Sequence, residues 1–164
     1  MKKVFKITAV VMALALVISA FASCGGGGGS VSGETKTWGN ITVLVPEGMT
    51  LKGGDVLNKE DPDKLTISKN DNAMNYFLIT VSDSEDNAKS NVETTRSMNK
   101  GCKDVSVETE GAKWTGVTYD YSGTKVFQIY AKVDGRVVTV QSYGFEADSD
   151  TSKAVLGSLK IAAK

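Results

Sequence analysis

Two strand-like runs, Lys125–Val133 and Arg136–Phe145, flank the pair Asp134-Gly135. A two-residue type I′ turn takes positive φ at both positions, which glycine adopts freely and aspartate tolerates. The pair therefore predicts a β-hairpin. Val126 and Tyr130 fall on one face of the first run, and Phe127, Ile129, Ala131 and Val133 on the other. Apolar residues on both faces imply a sheet covered on both sides.

The rest of the chain supplies partners for that hairpin. Ile41, Val43 and Val45 alternate and stop at Pro46-Glu47-Gly48, which reads as a strand and a turn. Gly53-Gly54-Asp55 reads as a loop, Leu65-Thr66-Ile67 as a short strand and Asn70-Asp71-Asn72 as a turn. Asn75–Ser82 is a stronger strand, with Phe77, Ile79 and Val81 on one face and Tyr76 and Leu78 on the other. The period then changes. Ser84 or Ser82 caps a helix whose first turn holds Glu85 and Asp86, and Ala88, Val92, Thr95 and Met98 form its thin apolar stripe up to Gly101. Such a stripe suits a helix lying on a sheet. Strands resume at Val105 and Val107, and a run opening at Trp114 alternates through Val117, Tyr119 and Tyr121 before Ser122-Gly123 turns the chain. A second helix begins near Asp148–Asp150, with Ser152, Val155, Leu156 and Leu159 on one face. The expected architecture is α+β: an antiparallel sheet of about six to seven strands covered by two helices. Residues 37–164 suffice for one such domain, burying about two thirds of the unfolded surface.

The first 36 residues are of a different kind. Met1–Lys6 is basic, Ile7–Phe21 is apolar apart from Thr8 and Ser19, and Ala22-Ser23-Cys24 follows. The apolar run, at about 15 residues, is short of the roughly 20 that span a bilayer and fits the helix of a secretory signal peptide. Its end, Phe21-Ala22-Ser23-Cys24, resembles the lipobox of bacterial lipoproteins, with Phe21 where leucine is usual. The resemblance implies a signal peptide of residues 1–23, acylation of Cys24 and a cell-membrane anchor on the extracytoplasmic face. The alternatives are an ordinary signal peptide cut after Ala22 or Ser23, and an uncleaved anchor. Gly25–Gly29 and Ser30-Val31-Ser32-Gly33 cannot build a core, so residues 24–36 read as a tether reaching on the order of 20 Å.

Three further passages, Ile41–Gly48, Val133–Val140 and Ala154–Ile161, resemble small Mog1/PsbP-like domains found in many bacterial lipoproteins. The resemblance implies the α+β fold. That fold hosts a Ran-binding protein and a photosystem subunit, so it does not assign a function, and no functional residue carries over.

Composition narrows the chemistry. There is no histidine, which removes the commonest general base and neutral metal ligand. Removing Lys2, Lys3 and Lys6 from the 19 basic groups leaves 16 against 19 acidic ones, a balance unsuited to nucleic acid. Asp55, Asn58, Glu60, Asp61 and Asp63 make an oxygen-rich loop, but the EF-hand frame is absent and Pro62 interrupts, so a solvated loop is expected and no metal or cofactor. Cys102 reads as a small packing residue at a helix-to-strand junction, with a reactive thiol as the alternative. Trp114, Tyr119, Tyr121 and Tyr143 are candidates for a binding surface, set against core and cross-strand packing. The expectation is a non-catalytic, monomeric binding or scaffolding module. Its partners would be the bilayer through acylated Cys24 and an envelope protein, peptide or glycan. A carboxylate enzyme or enzyme accessory acting on wall glycans is the alternative.

Overall fold

The computed structural model describes residues 31–54 and 57–163. The expected signal-peptide helix, Cys24 and the glycine run lie outside the described residues. The elements are β1 (Gly33–Trp38), β2 (Ile41–Pro46), β3 (Met49–Gly53), β4 (Lys64–Lys69), β5 (Tyr76–Ser82), α1 (Glu85–Met98), β6 (Lys103–Thr109), β7 (Ala112–Tyr121), β8 (Thr124–Val133), β9 (Arg136–Tyr143), α2 (Asp150–Ser158) and β10 (Lys160–Ile161). The class is α+β, as expected. Among the described residues the antiparallel sheets number two: seven strands in the order β3-β4-β5-β9-β8-β7-β6, and three in the order β1-β2-β10.

The hairpin forms as the sequence requires. Asp134 and Gly135 have φ of 49° and 81°, and Val133 pairs with Arg136 across the turn. That register places Phe127, Ile129 and Ala131 opposite Ser142, Val140 and Val138 on one face of the large sheet. Leu65, Ile67, Phe77 and Ile79 continue this inner face, and all four are fully buried.

The cover of the two faces departs from expectation. Helix α2, with nine residues, is about 14 Å long, whereas a seven-stranded sheet is roughly 29 Å wide. One short helix cannot close that face. The small sheet does the rest: Ile41, Val43 and Val45 of β2 and Ile161 of β10 join Val155, Leu156 and Leu159 in one core with the inner face. Strand β1 begins at Gly33, inside the stretch expected to be tether, so the folded part starts four residues before position 37. Its residues Glu34, Thr35, Lys36 and Thr37 are polar because β1 is an edge strand held by its ladder to β2. Strand β3 likewise runs into the first residue of the expected Gly53-Gly54-Asp55 loop and pairs with β4 from Met49 to Gly53.

Helix α1 lies on the outer face of the large sheet. Ser84 caps it, its Oγ accepting from the Asn87 N–H at 3.2 Å. Ala88 and Val92 are buried beneath it, and the Thr95 hydroxyl donates to Gln128 at 2.7 Å. At the start of β9, the buried Arg136 donates to both carboxylate oxygens of Asp63, at 2.9 and 3.2 Å, and to Asp83 at 3.2 Å. Asn40 donates to the same Asp63 at 2.9 Å. This fork ties the hairpin to the acidic loop and to the β1–β2 turn. Asp63, which read as part of a solvated loop, is therefore a structural anchor.

The strand directions give the domain two distinct ends. At the first lie Gly33, the turns at 47–48, 70–75 and 122–123, and the C-terminus of α1. Its backbone is stitched by Glu47 N–H to Ser32 O at 2.9 Å and Asn70 N–H to Gly48 O at 3.0 Å. At the opposite end lie the turns at 39–40, 110–111 and 134–135 and the loop through Leu57.

Candidate functional site

The ladder registers set one row of side chains across the outer face near the Gly33 end. Tyr119 pairs with Val126, Val126 with Tyr143, Tyr143 with Tyr76, and Tyr76 with Ser68. Directly paired residues of an antiparallel ladder share a face, so these side chains stand together. The Tyr76 and Tyr143 rings stack at 5.4 Å, and the Tyr121 ring meets Tyr143 edge-on at 6.1 Å. Val126 beneath them is fully buried. Helix α1 ends at Met98 and leaves the Tyr76–Tyr143–Tyr121 side of the row partly open.

The phenols respond to this crowding. Tyr119 is 8% exposed, and burial, with help from the neighbouring Tyr143, pushes its pKa up to about 12. Tyr76 is raised in the same direction by burial first and Tyr143 second. The two hydroxyls therefore stay protonated at neutral pH. The row offers amphipathic rings whose edges donate and accept hydrogen bonds.

The sequence candidates divide. Tyr121 and Tyr143 belong to the row, and Tyr121 is 55% exposed. Tyr119 belongs to it but is largely buried. Trp114 does not: it is fully buried on the opposite, inner face, where its indole N–H donates to Thr109 Oγ1 at 3.2 Å. The reason is the strand period. Trp114 is an odd number of residues from Tyr119 and Tyr121, so it points to the other side. Tyr76 was missed as a site residue. The sequence puts it opposite Phe77, but only the β5–β9 pairing, with no local signature, brings it to Tyr143.

Two shallow grooves flank α1. One, of about 350 Å³, runs between Lys89, Val92 and Arg96 of the helix and Asp104, Ser106 and Thr115 of the sheet. The other, of about 380 Å³, includes Glu85, Tyr130 and Lys132. Their charges are mutually engaged. Arg96 reaches Asp104 at 2.6 Å and Glu93 at 3.2 Å, and Glu85 reaches Lys89 and Lys132, each at 2.9 Å. Hydrogen bonds from Lys89 and Lys132 hold the Glu85 carboxyl down to about 2, the direction opposite to that of a general acid at neutral pH.

Cys102 sits between the end of α1 and the start of β6, half-buried, with its Sγ 3.9 Å from the Thr95 carbonyl. Burial raises its pKa, outweighing the opposing pull of Arg96. That is the environment of a packing thiol, since the reactive form is the thiolate. Among the described residues no three His, Cys, Asp or Glu side chains are grouped to hold a metal ion.

No protein-family model matches the chain, and no curated protein does. Among solved structures it is similar to the solution structure of cyanobacterial PsbP (CyanoP) from Synechocystis sp. PCC 6803. There the identity is 13%, covering 86% of this chain and 99% of that one, with a TM-score of 0.48. It is also similar to a crystal structure from Bacteroides thetaiotaomicron, with 11% identity over 76% of this chain and 46% of that one and a TM-score of 0.42. At this level of superposition no residue or role is carried across.

Proposed function

We propose that this chain is a lipid-tethered, non-catalytic binding module, held at the extracytoplasmic face of the cell membrane by acylated Cys24, with the tyrosine row as its binding face. The observation that carries the reading is the row itself. Tyr76, Tyr121 and Tyr143 are brought together from three strands onto the part of the outer face beyond the end of α1. Clustered tyrosines give a large contact area at small entropic cost, as binding surfaces require. The tether reading rests on Ala22-Ser23-Cys24 and the glycine run that follows. An acylated cysteine with two or three chains anchors stably, at about 0.8 kcal/mol per buried methylene. Catalysis by carboxylates on wall glycans is the weaker reading, because the displaced carboxyl beside the grooves, Glu85, is displaced downward.

Metabolic labelling with an alkyne fatty acid tests the anchor: wild type takes the label and Cys24→Ser does not. Equal label on both overturns it. The binding face is tested by surface iodination of tyrosines in intact cells. Occupancy protects Tyr121 relative to the purified, delipidated chain, and equal modification in both settings removes the assignment.

A further inference from the structure

Of the four exposed large apolar side chains among the described residues, three gather at one end of the domain. Met74 is 66% exposed, Met98 77% and Tyr121 55%. They come from three separate places in the chain: the turn between β4 and β5, the last residue of α1, and the last residue of β7. The strand directions bring all three to the Gly33 end, around the mouth of the tyrosine row. The fourth, Leu57, is 97% exposed and lies in the loop at the opposite end.

The chain enters the domain at the same end. Ser32 is fixed there by the hydrogen bond from the Glu47 N–H, and the neighbouring Gly48 carbonyl accepts from Asn70 at the start of the turn that carries Met74. Cys24 lies eight residues before Ser32, a separation that spans no more than about 29 Å when fully extended. Strand β8, with ten residues, puts the opposite end roughly 30 Å farther away. An anchor at Cys24 thus keeps the Met74–Met98–Tyr121 end near the lipid surface, at a high effective concentration.

We infer that the tyrosine–methionine end of the domain is a membrane-docking surface, with the bilayer interface itself as its occupant. The inference rests on the proposed acylation of Cys24 and names the partner of the tyrosine row. Tyrosine suits the headgroup boundary, where its ring meets acyl chains and its hydroxyl meets water. Methionine is flexible and adapts to an irregular apolar surface. Charges of both signs lie at the same end of the fold: Lys69 and Asp71 flank the start of the turn that carries Met74, Lys100 follows Met98 in the chain, and Lys125 is paired with Asp120 at 2.9 Å. Docking is therefore driven by apolar contact and not by anionic lipid, and it persists on zwitterionic vesicles and at raised salt. Docked this way, the domain lies close to the membrane, with the Asp134 turn and the Leu57 loop facing outward.

The test uses the full processed, lipidated chain. It is reconstituted into vesicles of pure phosphatidylcholine and, separately, followed in intact cell envelopes. Hydroxyl-radical footprinting reads the oxidation of each residue, normalised to the urea-unfolded chain. A domain docked four-fifths of the time shows labelling at Met74, Met98 and Tyr121 reduced about fivefold beyond their exposure in the free domain, with Leu57 unaffected. In a Met74→Glu/Met98→Glu variant, still lipidated and membrane-bound, Tyr121 labelling rises again. Unprotected methionines in a chain that carries the fatty-acid label overturn docking and leave the anchor standing. Protection in envelopes but not in pure vesicles also overturns it, because the occupant is then a protein or glycan. A chain without the fatty-acid label overturns the anchor, and docking falls with it.

Discussion

The carboxylate of Asp134 accepts a hydrogen bond from the backbone N–H of Ile161 at 2.8 Å. The hairpin turn of the large sheet thus holds the last strand of the small one. The residue that permits the tight turn, at φ 49°, also fastens the C-terminal end of the core. Gly135, at φ 81°, faces open space: a Cβ added there would meet no atom within 4 Å, so a side chain suffers conformational strain and no clash. Gly135→Val is expected to lose about 1–2 kcal/mol from the left-handed backbone alone. Asp134→Asn keeps both the turn preference and an acceptor oxygen, and is expected to stay within about 0.5 kcal/mol of wild type. Asp134→Ala loses both and is expected to cost about 1 kcal/mol or more. Urea midpoints of the three variants check the order, and a Gly135→Val protein as stable as wild type contradicts it.

The start of the fold is set by β1. A chain beginning at Val31 retains the whole β1–β2 ladder, from Gly33 opposite Pro46 to Trp38 opposite Ile41. A chain beginning at Thr37 keeps two of its six pairs and bares the edge of β2, whose Ile41, Val43 and Val45 are core residues. The longer chain is expected to melt cooperatively, and the shorter to lose several degrees or aggregate through the exposed edge. Circular dichroism melts and size-exclusion profiles distinguish the two.

What was legible in the sequence was local. The Asp134-Gly135 turn, the Ser84 cap, the strand faces of β5 and β8 and the buried stripe of α2 all declare themselves within a few residues, because period and turn chemistry act over that range. Strands β1 and β3 did not, since an edge strand is held by its neighbour's backbone and needs no apolar alternation. The split into two sheets was equally silent: it follows from the width of the large sheet against the length of α2. At the site, the period alone separates Trp114 from Tyr119 and Tyr121, so that assignment was open to correction from the sequence. The joining of Tyr76 to Tyr143 was not, because it depends on β5 pairing with β9 across the intervening α1, β6, β7 and β8.

Ser142 is fully buried on the inner face, between its ladder partners Phe77 and Phe127. Among the described residues its hydroxyl has no hydrogen-bond partner. A buried hydroxyl left in that state costs about 1–3 kcal/mol of desolvation. Ser142→Ala removes the hydroxyl with little change in volume, and is expected to raise stability by about 1 kcal/mol. A lower melting temperature for Ser142→Ala contradicts the account and points to a partner such as an internal water.

The tyrosine row makes stability depend on alkaline pH. Burial first, then the neighbouring Tyr143, and after it Cys102 and Tyr76, push Tyr119 from its ordinary 10.0 up to about 12. A pKa raised on folding means that the folded protein holds this proton more tightly than the unfolded chain. The contribution is therefore complete below pH 10 and is lost as pH rises through about 12, with a swing on the order of 2 kcal/mol. Tyr119→Phe cannot ionise there and is expected to show a flatter stability profile between those limits. Denaturant midpoints across the alkaline range measure the slope, and phenolate absorbance of the folded protein should lose its highest step in the variant. A wild-type midpoint that stays level up to pH 12, or an unchanged last step in Tyr119→Phe, shows that Tyr119 is not the group responsible.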